Sequence, residues 1–287
     1  MDGGSGGGLV VDRQEAGGIR WESARRPPDP RLAGLVVDVT GYAEHADHPV
    51  VRRTTAHPAV TVILNLGAPI AVDGTPFSTF VAGMHDTWGL TSFVGSQRGI
   101  ELRLTPQGGH RLLGIPPREL TGQVVELPVL ERLASRLATC ADWAATLDLL
   151  DAELLRLAGD GPEPDPAVGW AWRTMRARHG DLRIADLAAE IGWSRRHFVA
   201  RFRAEVGLAP KVAARMLRFN RATRLLVRGV PAAAVSAACG YTDQSHLVRE
   251  FRALAGVTPG GFVAELDPEQ VTFFQDFERI APLASDA

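Results

Sequence analysis

Cysteine is scarce in this chain of 287 residues: Cys140 and Cys239 are the only two, and no C-x-x-C pair occurs. That excludes a disulfide framework and argues against a zinc ribbon. Histidine does not supply a metal signature either. Eight are present, but none form the H-x-H pair that puts two imidazoles on one side of a strand. No apolar run approaches the roughly 18 residues of a membrane-spanning helix. The opening MDGGSGGGLVVDRQEAGG has no basic segment followed by an apolar one, so no secretory signal is legible. No nucleophile–base pairing of the kind used in covalent catalysis can be read. These absences predict a reduced, cytoplasmic, non-enzymatic protein with no metal, no cofactor and no membrane partner.

Net charge is also nearly absent, at −2, but its distribution is uneven. Residues 168–266 hold 16 Lys and Arg against 7 Asp and Glu, while the rest of the chain holds 15 basic and 26 acidic residues. A C-terminal part of balance +9 joined to an acidic remainder is the pattern of a polyanion-binding domain fused to a different module. The length and the 45% hydrophobic content suffice for two cores.

The texture along the chain divides it further. Residues 1–30 are rich in Gly and end in ARRPPDP, and are expected to be a disordered tail. Residues 31–158 begin with short apolar or alternating runs broken by Gly and Pro, such as AVTVILNLG (59–67), PIAVDG (69–74), FSTFVAG (77–83), GIELRLTP (99–106) and GQVVELP (122–128). These predict the strands of a sandwich or barrel, with His45 and His48 in a loop. Two helical patterns follow, one carrying Leu130, Leu133 and Leu137 and the other Trp143, Leu147, Leu150 and Leu154. The acidic, Pro-rich GDGPEPDPA (159–167) reads as a linker. Residues 168–266 read as helices throughout, and 267–287 as a C-terminal tail.

A repeat lies inside the basic part. FRAEVGLAP (202–210) returns 49 positions later as FRALAGVTP (251–259), with Phe, Arg, Ala, Gly and Pro at the same offsets. Upstream of each copy the order is the same: a short Ala-rich helix, Gly192 or Gly240, an aromatic (Trp193 or Tyr241), and a polar N-cap. The cap is Ser194 in the first copy and Thr242 or Asp243 in the second. A second helix follows, placing Phe198 and Phe202, or Leu247 and Phe251, inward, and ends at Gly207 or Gly256. Each copy therefore predicts a helix-turn-helix. Between them KVAARMLRFNRATRLLVRG (211–229) predicts a basic helix of about 27 Å at ~1.5 Å per residue. Such a rod can carry two readers to successive major grooves, about 34 Å apart.

With both units and the spacer in order, residues 168–266 resemble the DNA-binding domain of the AraC/XylS family of bacterial transcription regulators. LAAEIGWSRRHFVARFRAEVG, RFNRATRLL and ACGYTDQSHLVREFRALAGVTPGGF carry the resemblance. FVAGMHDT and RLTPQGGHRLLGIPPREL, more loosely, resemble the cupin-like sensing domains fused to such regulators. The implied fold class is α+β: a β-rich cupin-like barrel with flanking helices at 31–158, then an all-α domain of two helix-turn-helix units. The implied function is sequence-specific regulation of transcription. Implied partners are double-stranded DNA, a small-molecule effector, a second copy in a homodimer and, for an activator, RNA polymerase. The competing reading is a metal-dependent cupin enzyme with an accessory basic helical domain.

The resemblance also implies site residues. Base edges fall to Arg195, Arg196, Val199 and Ala200 in the first unit and to Gln244, Ser245, His246 and Arg249 in the second. The Arg196 fork suits guanine O6 and N7, and Gln244 suits adenine N6 and N7. Val199 and Ala200 can touch only a thymine methyl, which leaves the first unit short of polar readers. Phosphates fall to Ser194, Arg203, Arg218, Thr242 and Arg252. In the sensing half, Phe77, Phe80, Met84, His85, Trp88 and Phe93 crowd one stretch and are expected to line an effector pocket at the barrel mouth.

Overall fold

Two long strands organise the N-terminal half of the computed structural model, which describes residues 8–265. They are β3 (Val36–Thr54) and β8 (Gly89–Leu104), paired antiparallel along most of their length. Around them stand β1 (Val10–Ala16), β2 (Ile19–Arg25), β4 (Val60–Asn65), β5 (Ile70–Val72), β6 (Thr75–Phe77), β7 (Phe80–Ala82) and β9 (Val124–Val125). The pairing path runs β1-β2-β3-β8-β4-β7-β9, with β5 joining β6 to β8. Its two ends do not pair among the described strands, so the β-rich domain is a curled sheet and not a closed barrel. Irregular register between Val36 and Asp38 and between Ala46 and Val50 bends β3, as a bulge does.

The expectation of a disordered tail over 1–30 is corrected at residues 10–25 by β1 and β2, while residues 1–7 lie outside the described residues. Val10 pairs with Arg25 and Ala16 with Ile19, and β2 then pairs with β3. The hairpin turns on Gly17 and Gly18, both at positive φ (57° and 75°), a conformation that two adjacent glycines adopt without strain. Trp21 and Ala24 are buried, which anchors the segment. His45 and His48 likewise lie within β3 and not in a loop, because β3 runs on past the expected strand end. His45 is held there by Ser96 Oγ (2.8 Å) and Asp47 Oδ1 (2.9 Å).

Four helices complete this half: α1 (Pro106–Leu113), α2 (Pro117–Leu120), α3 (Pro128–Leu137) and α4 (Trp143–Asp160). Leu130, Leu133 and Leu137 of α3, and Trp143, Leu147, Leu150 and Leu154 of α4, are buried as their periodicity requires. The connection to the next domain is shorter than 159–167, because α4 extends to Asp160 and α5 (Pro166–Ala177) starts at Pro166, with Asp165 as its N-cap. Then come α6 (Ile184–Glu190), α7 (Arg195–Val206), α8 (Pro210–Val227), α9 (Ala232–Ala238), α10 (Gln244–Ala255) and α11 (Pro259–Ala264). The expected tail at 267–287 lies outside the described residues.

The β-rich and helical halves share one apolar core, running from Leu102 and Leu104 to Trp172, Phe202 and Phe251. Polar contacts cross the boundary as well. Ala56 N–H donates to the Leu254 carbonyl at 2.9 Å, Arg53 pairs with Glu265 at 3.3 Å, and Arg215 approaches Asp86 at 3.5 Å.

Candidate nucleic-acid interface

Each helix-turn-helix unit is built from its buried aromatic side outward. In the first, Phe198, Phe202 and Val206 are fully buried, with Phe202 against Trp172 at 6.4 Å. In the second, Leu247, Phe251 and Leu254 are fully buried, with Phe251 against Phe219 of the spacer helix at 4.8 Å. Burying these faces turns the opposite faces outward. Ser194 caps α7 by accepting from His197 N–H, and Asp243, rather than Thr242, caps α10 by accepting from His246 N–H. Gly207 and Gly256 end the two helices at φ 88° and 73°. In both units an aromatic of the turn meets a histidine edge-on: Trp193 on His197 at 4.7 Å, Tyr241 on His246 at 5.3 Å.

The sequence-predicted readers fall on the outward faces. Arg195, Arg196 and Ala200 are exposed on α7, with Val199 half-buried. Gln244, Ser245 and Arg249 are exposed on α10, with His246 half-buried against Tyr241. Ser194, Arg203, Thr242 and Arg252 are exposed beside them. The 18-residue helix α8 separates the two units.

Arg218 stands apart from the other phosphate candidates. Its Nη2 pairs with Glu250 Oε2 at 2.9 Å, and its guanidinium lies 4.9 Å from the Tyr241 ring centroid. Tyr241 Oη donates to Glu250 Oε1 at 2.8 Å. Burial lowers the Arg218 pKa, but the Glu250 hydrogen bond and charge outweigh it, and the net direction is up. Burial and then the Glu250 carboxylate push the Tyr241 phenol up. This triad, buried at Tyr241 and Glu250 and half-buried at Arg218, ties α10 to the spacer, and nothing in the sequence spacing marked Glu250 as its centre. The repeat-equivalent position in α7 is Arg201, which pairs instead with Asp165 at 2.8 Å and Glu205 at 3.5 Å. Burial raises the Asp165 carboxyl, yet the Arg201 bond and the two N–H groups it caps hold it below its ordinary range.

Of the six candidates in the β-rich half, Phe80, His85 and Trp88 line one cavity of about 270 Å³. Phe77 stacks on Phe80 at 5.6 Å without lining that cavity, and Met84 sits in the main core. Phe93 belongs to a separate cluster with Ala46 and Val50, under the Arg52 guanidinium. Sequence reasoning missed His57, Glu101, Arg103 and Phe262, which line the same cavity. A signal existed for two of them. In GIELRL the alternation that buries Ile100, Leu102 and Leu104 in one core puts Glu101 and Arg103 together on the other face. Among the described residues no group of three or more His, Cys, Asp or Glu is placed to hold a metal ion, and no helix is long and apolar enough to cross a membrane.

Residues 187–265 match the family described as a helix-turn-helix domain, and residues 24–126 match a domain of unknown function, DUF6597. A curated relative, the uncharacterized HTH-type transcriptional regulator YbfI of Bacillus subtilis (strain 168), is 28% identical over 136 residues. That alignment spans 45% of this chain and 48% of the relative, about half its length. Among solved structures, ToxT from Vibrio cholerae O395 is 10% identical with a TM-score of 0.46, covering 77% of this chain and 98% of that one. Unsaturated fatty acid-bound wild-type ToxT of strain SCE256 is 11% identical with a TM-score of 0.47, covering 83% and 96%.

Proposed function

We propose that this chain, whose residues 187–265 match a helix-turn-helix domain family, is a sequence-specific, DNA-binding transcription regulator of the AraC/XylS family. The observation that carries the reading is the pair of polar, outward-facing helix starts, at Arg195–Arg196 and Gln244–Ser245, set at either side of one 18-residue helix in a domain of balance +9. In this reading Arg195, Arg196, Val199 and Ala200, with Gln244, Ser245, His246 and Arg249, face base edges in successive major grooves. Ser194, Arg203, Thr242 and Arg252 hold phosphates. Arg218 is left out of that set, since its guanidinium is committed to Glu250. A small molecule bound by the N-terminal half sets the affinity. The protein acts on DNA in the cytoplasm without catalysing a reaction.

Titrating duplex DNA with the full chain over a range of salt tests the reading. The affinity should fall linearly in log[salt], by about 0.9 per phosphate neutralised. A flat salt response, or no duplex binding at all, contradicts it.

A further inference from the structure

The cavity beneath Trp88 does not belong to the sensing half alone. Phe262, on the last helix of the second reader, forms part of its wall. At the mouth, Arg53 lies 4.8 Å from the Trp88 ring centroid while pairing with Glu265 of the helical domain. A Cβ placed at Gly256, where α10 ends, would meet the Trp88 ring at 2.7 Å. The second reader is therefore seated on this cavity as a lid.

Ile63, Ile70, Phe80 and Phe262 supply apolar walls, while His57 and Glu101 are polar groups in the lining. Glu101 is 1% exposed, and one of its oxygens, Oε1, accepts from Arg103 Nε at 2.7 Å. The other, Oε2, has no hydrogen-bond partner among the described residues, nor has His57 Nδ1. Burial, and then the charges of Arg103, Arg176, His85 and Arg224, hold the His57 pKa well below 6.5, so its ring is neutral. The cations facing the cavity are already matched, Arg103 to Glu101 and Arg53 to Glu265. Burial pushes the Glu101 carboxyl up, against the Arg103 charge and hydrogen bond that favour its ionised form; in that Arg103-paired form Oε2 is an unmet acceptor, and an unmet buried acceptor calls for a donor.

We propose that this cavity binds a small neutral molecule with an apolar body and a hydroxyl or N–H donor directed at Glu101 and His57, and that its occupancy is coupled to DNA binding through Phe262. The proposal rests on the regulator reading above, and adds the ligand's chemistry and its route of action. About 270 Å³ is near the lower end of ligand pockets, about 300–1,000 Å³, which suits a one- or two-ring molecule. The route is a line of rings in edge-on and tilted contact: Phe262 lies 5.8 Å from Phe251, in the core of α10, and Phe251 lies 4.8 Å from Phe219 of the spacer. A molecule that presses on Phe262 presses on the seat of α10.

Three probes of one shape separate the ligand classes when titrated calorimetrically into the full chain. They are 2-naphthol (a donor), 2-methoxynaphthalene (an acceptor only) and 2-naphthoate (an anion). The naphthol is expected to bind at least about tenfold more tightly than the other two, and Glu101→Gln to shrink that preference to within about threefold. Tightest binding of the naphthoate or the methoxy compound, equal binding of all three, or no binding overturns the ligand class, and these wild-type comparisons stand even if the variant does not fold. Coupling is read by repeating the naphthol titration with a duplex selected from a random library by the full chain. The naphthol affinity should shift at least about threefold with that duplex bound, and Phe251→Leu, one step along the route and outside the cavity lining, should shrink that shift. Equal affinity with and without duplex overturns the coupling. A chain that binds duplex but no probe refutes this inference alone, whereas one that binds no duplex refutes the regulator reading beneath it.

Discussion

Arg196 and Gln244 are exposed at the starts of their helices, where a side chain enters a major groove ahead of the helix body. Replacing either with Ala should cost roughly 1–3 kcal/mol on the cognate site and relax preference at one base position, in opposite half-elements. Arg203→Ala should instead weaken all sequences alike and make the salt slope shallower. Val199 and Ala200 offer no polar atom, so Gln244→Ala should disturb specificity more than Val199→Ala. Competition assays over single-base variants of the site read all four. His57 gives a prediction of another kind. Its folded pKa is held below the ordinary 6.5, so the unfolded chain takes up a proton below that pH and the folded chain does not. Stability should therefore be full above about pH 6.5 and fall by up to about 1.4 kcal/mol per pH unit below it, until the folded pKa is reached. Urea melts at stepped pH should show a shallower acid slope for His57→Gln, and an unchanged slope would contradict the placement. The exposure of the positions proposed as readers was legible because the repeat fixed their offsets from buried Phe. His57, Glu101 and Phe262 were not, because sheet curling and domain docking bring them together and no local spacing records either.

At the scale of elements, legibility followed the number of independent signals. Each recognition helix had an N-cap, a buried stripe and a terminal Gly, and the observed bounds Arg195–Val206 and Gln244–Ala255 follow from them. The β1–β2 hairpin had a Gly-Gly turn between two runs, VVDRQEA and IRWESAR, but of Val10, Val11, Ile19, Trp21 and Ala24 only the last two are well buried, and the surrounding glycines masked the pattern. Helix α1 was hidden for the opposite reason. Gly108 and Gly109 weaken its propensity, yet they are needed because a Cβ at Gly108 would collide with the Leu35 carbonyl. The same level holds the clamp between α8 and α10. Glu250→Ala would leave Arg218 half-buried without its partner and Tyr241 without its acceptor. Because Arg218 keeps 26% exposure, the loss should be about 2–3 kcal/mol, below the roughly 3–5 of a fully buried pair. Denaturant melts read it, and Arg218→Met in the Glu250→Ala background should recover part of it. A loss under about 0.5 kcal/mol would mean that the clamp is a surface pair.

At the scale of the whole molecule, the charge asymmetry and the docking act together. The β-rich half reaches both helix-turn-helix units: Pro117 and Thr121 of its α2 region face Gly207 at the end of α7, and Trp88 faces Gly256 at the end of α10. His110 of α1 lies 4.0 Å from Glu205 on α7. The α+β division was legible from texture and charge, whereas the seating of one half on the other was not. Interdomain contacts such as Ala56 with Leu254 join residues nearly 200 positions apart, and periodicity carries no record of them. The central claim concerns the spacer: α8 holds two readers on one face of the duplex. Inserting five base pairs between the two elements of a selected site turns the second element about half a helical turn away. Footprinting with the full chain should then show one protected element in place of two, with affinity reduced at least tenfold, and a ten-base-pair insertion should not mimic that rotation. Undiminished affinity and an unchanged footprint with the five-base-pair insertion would contradict the claim, leaving one unit as the only reader.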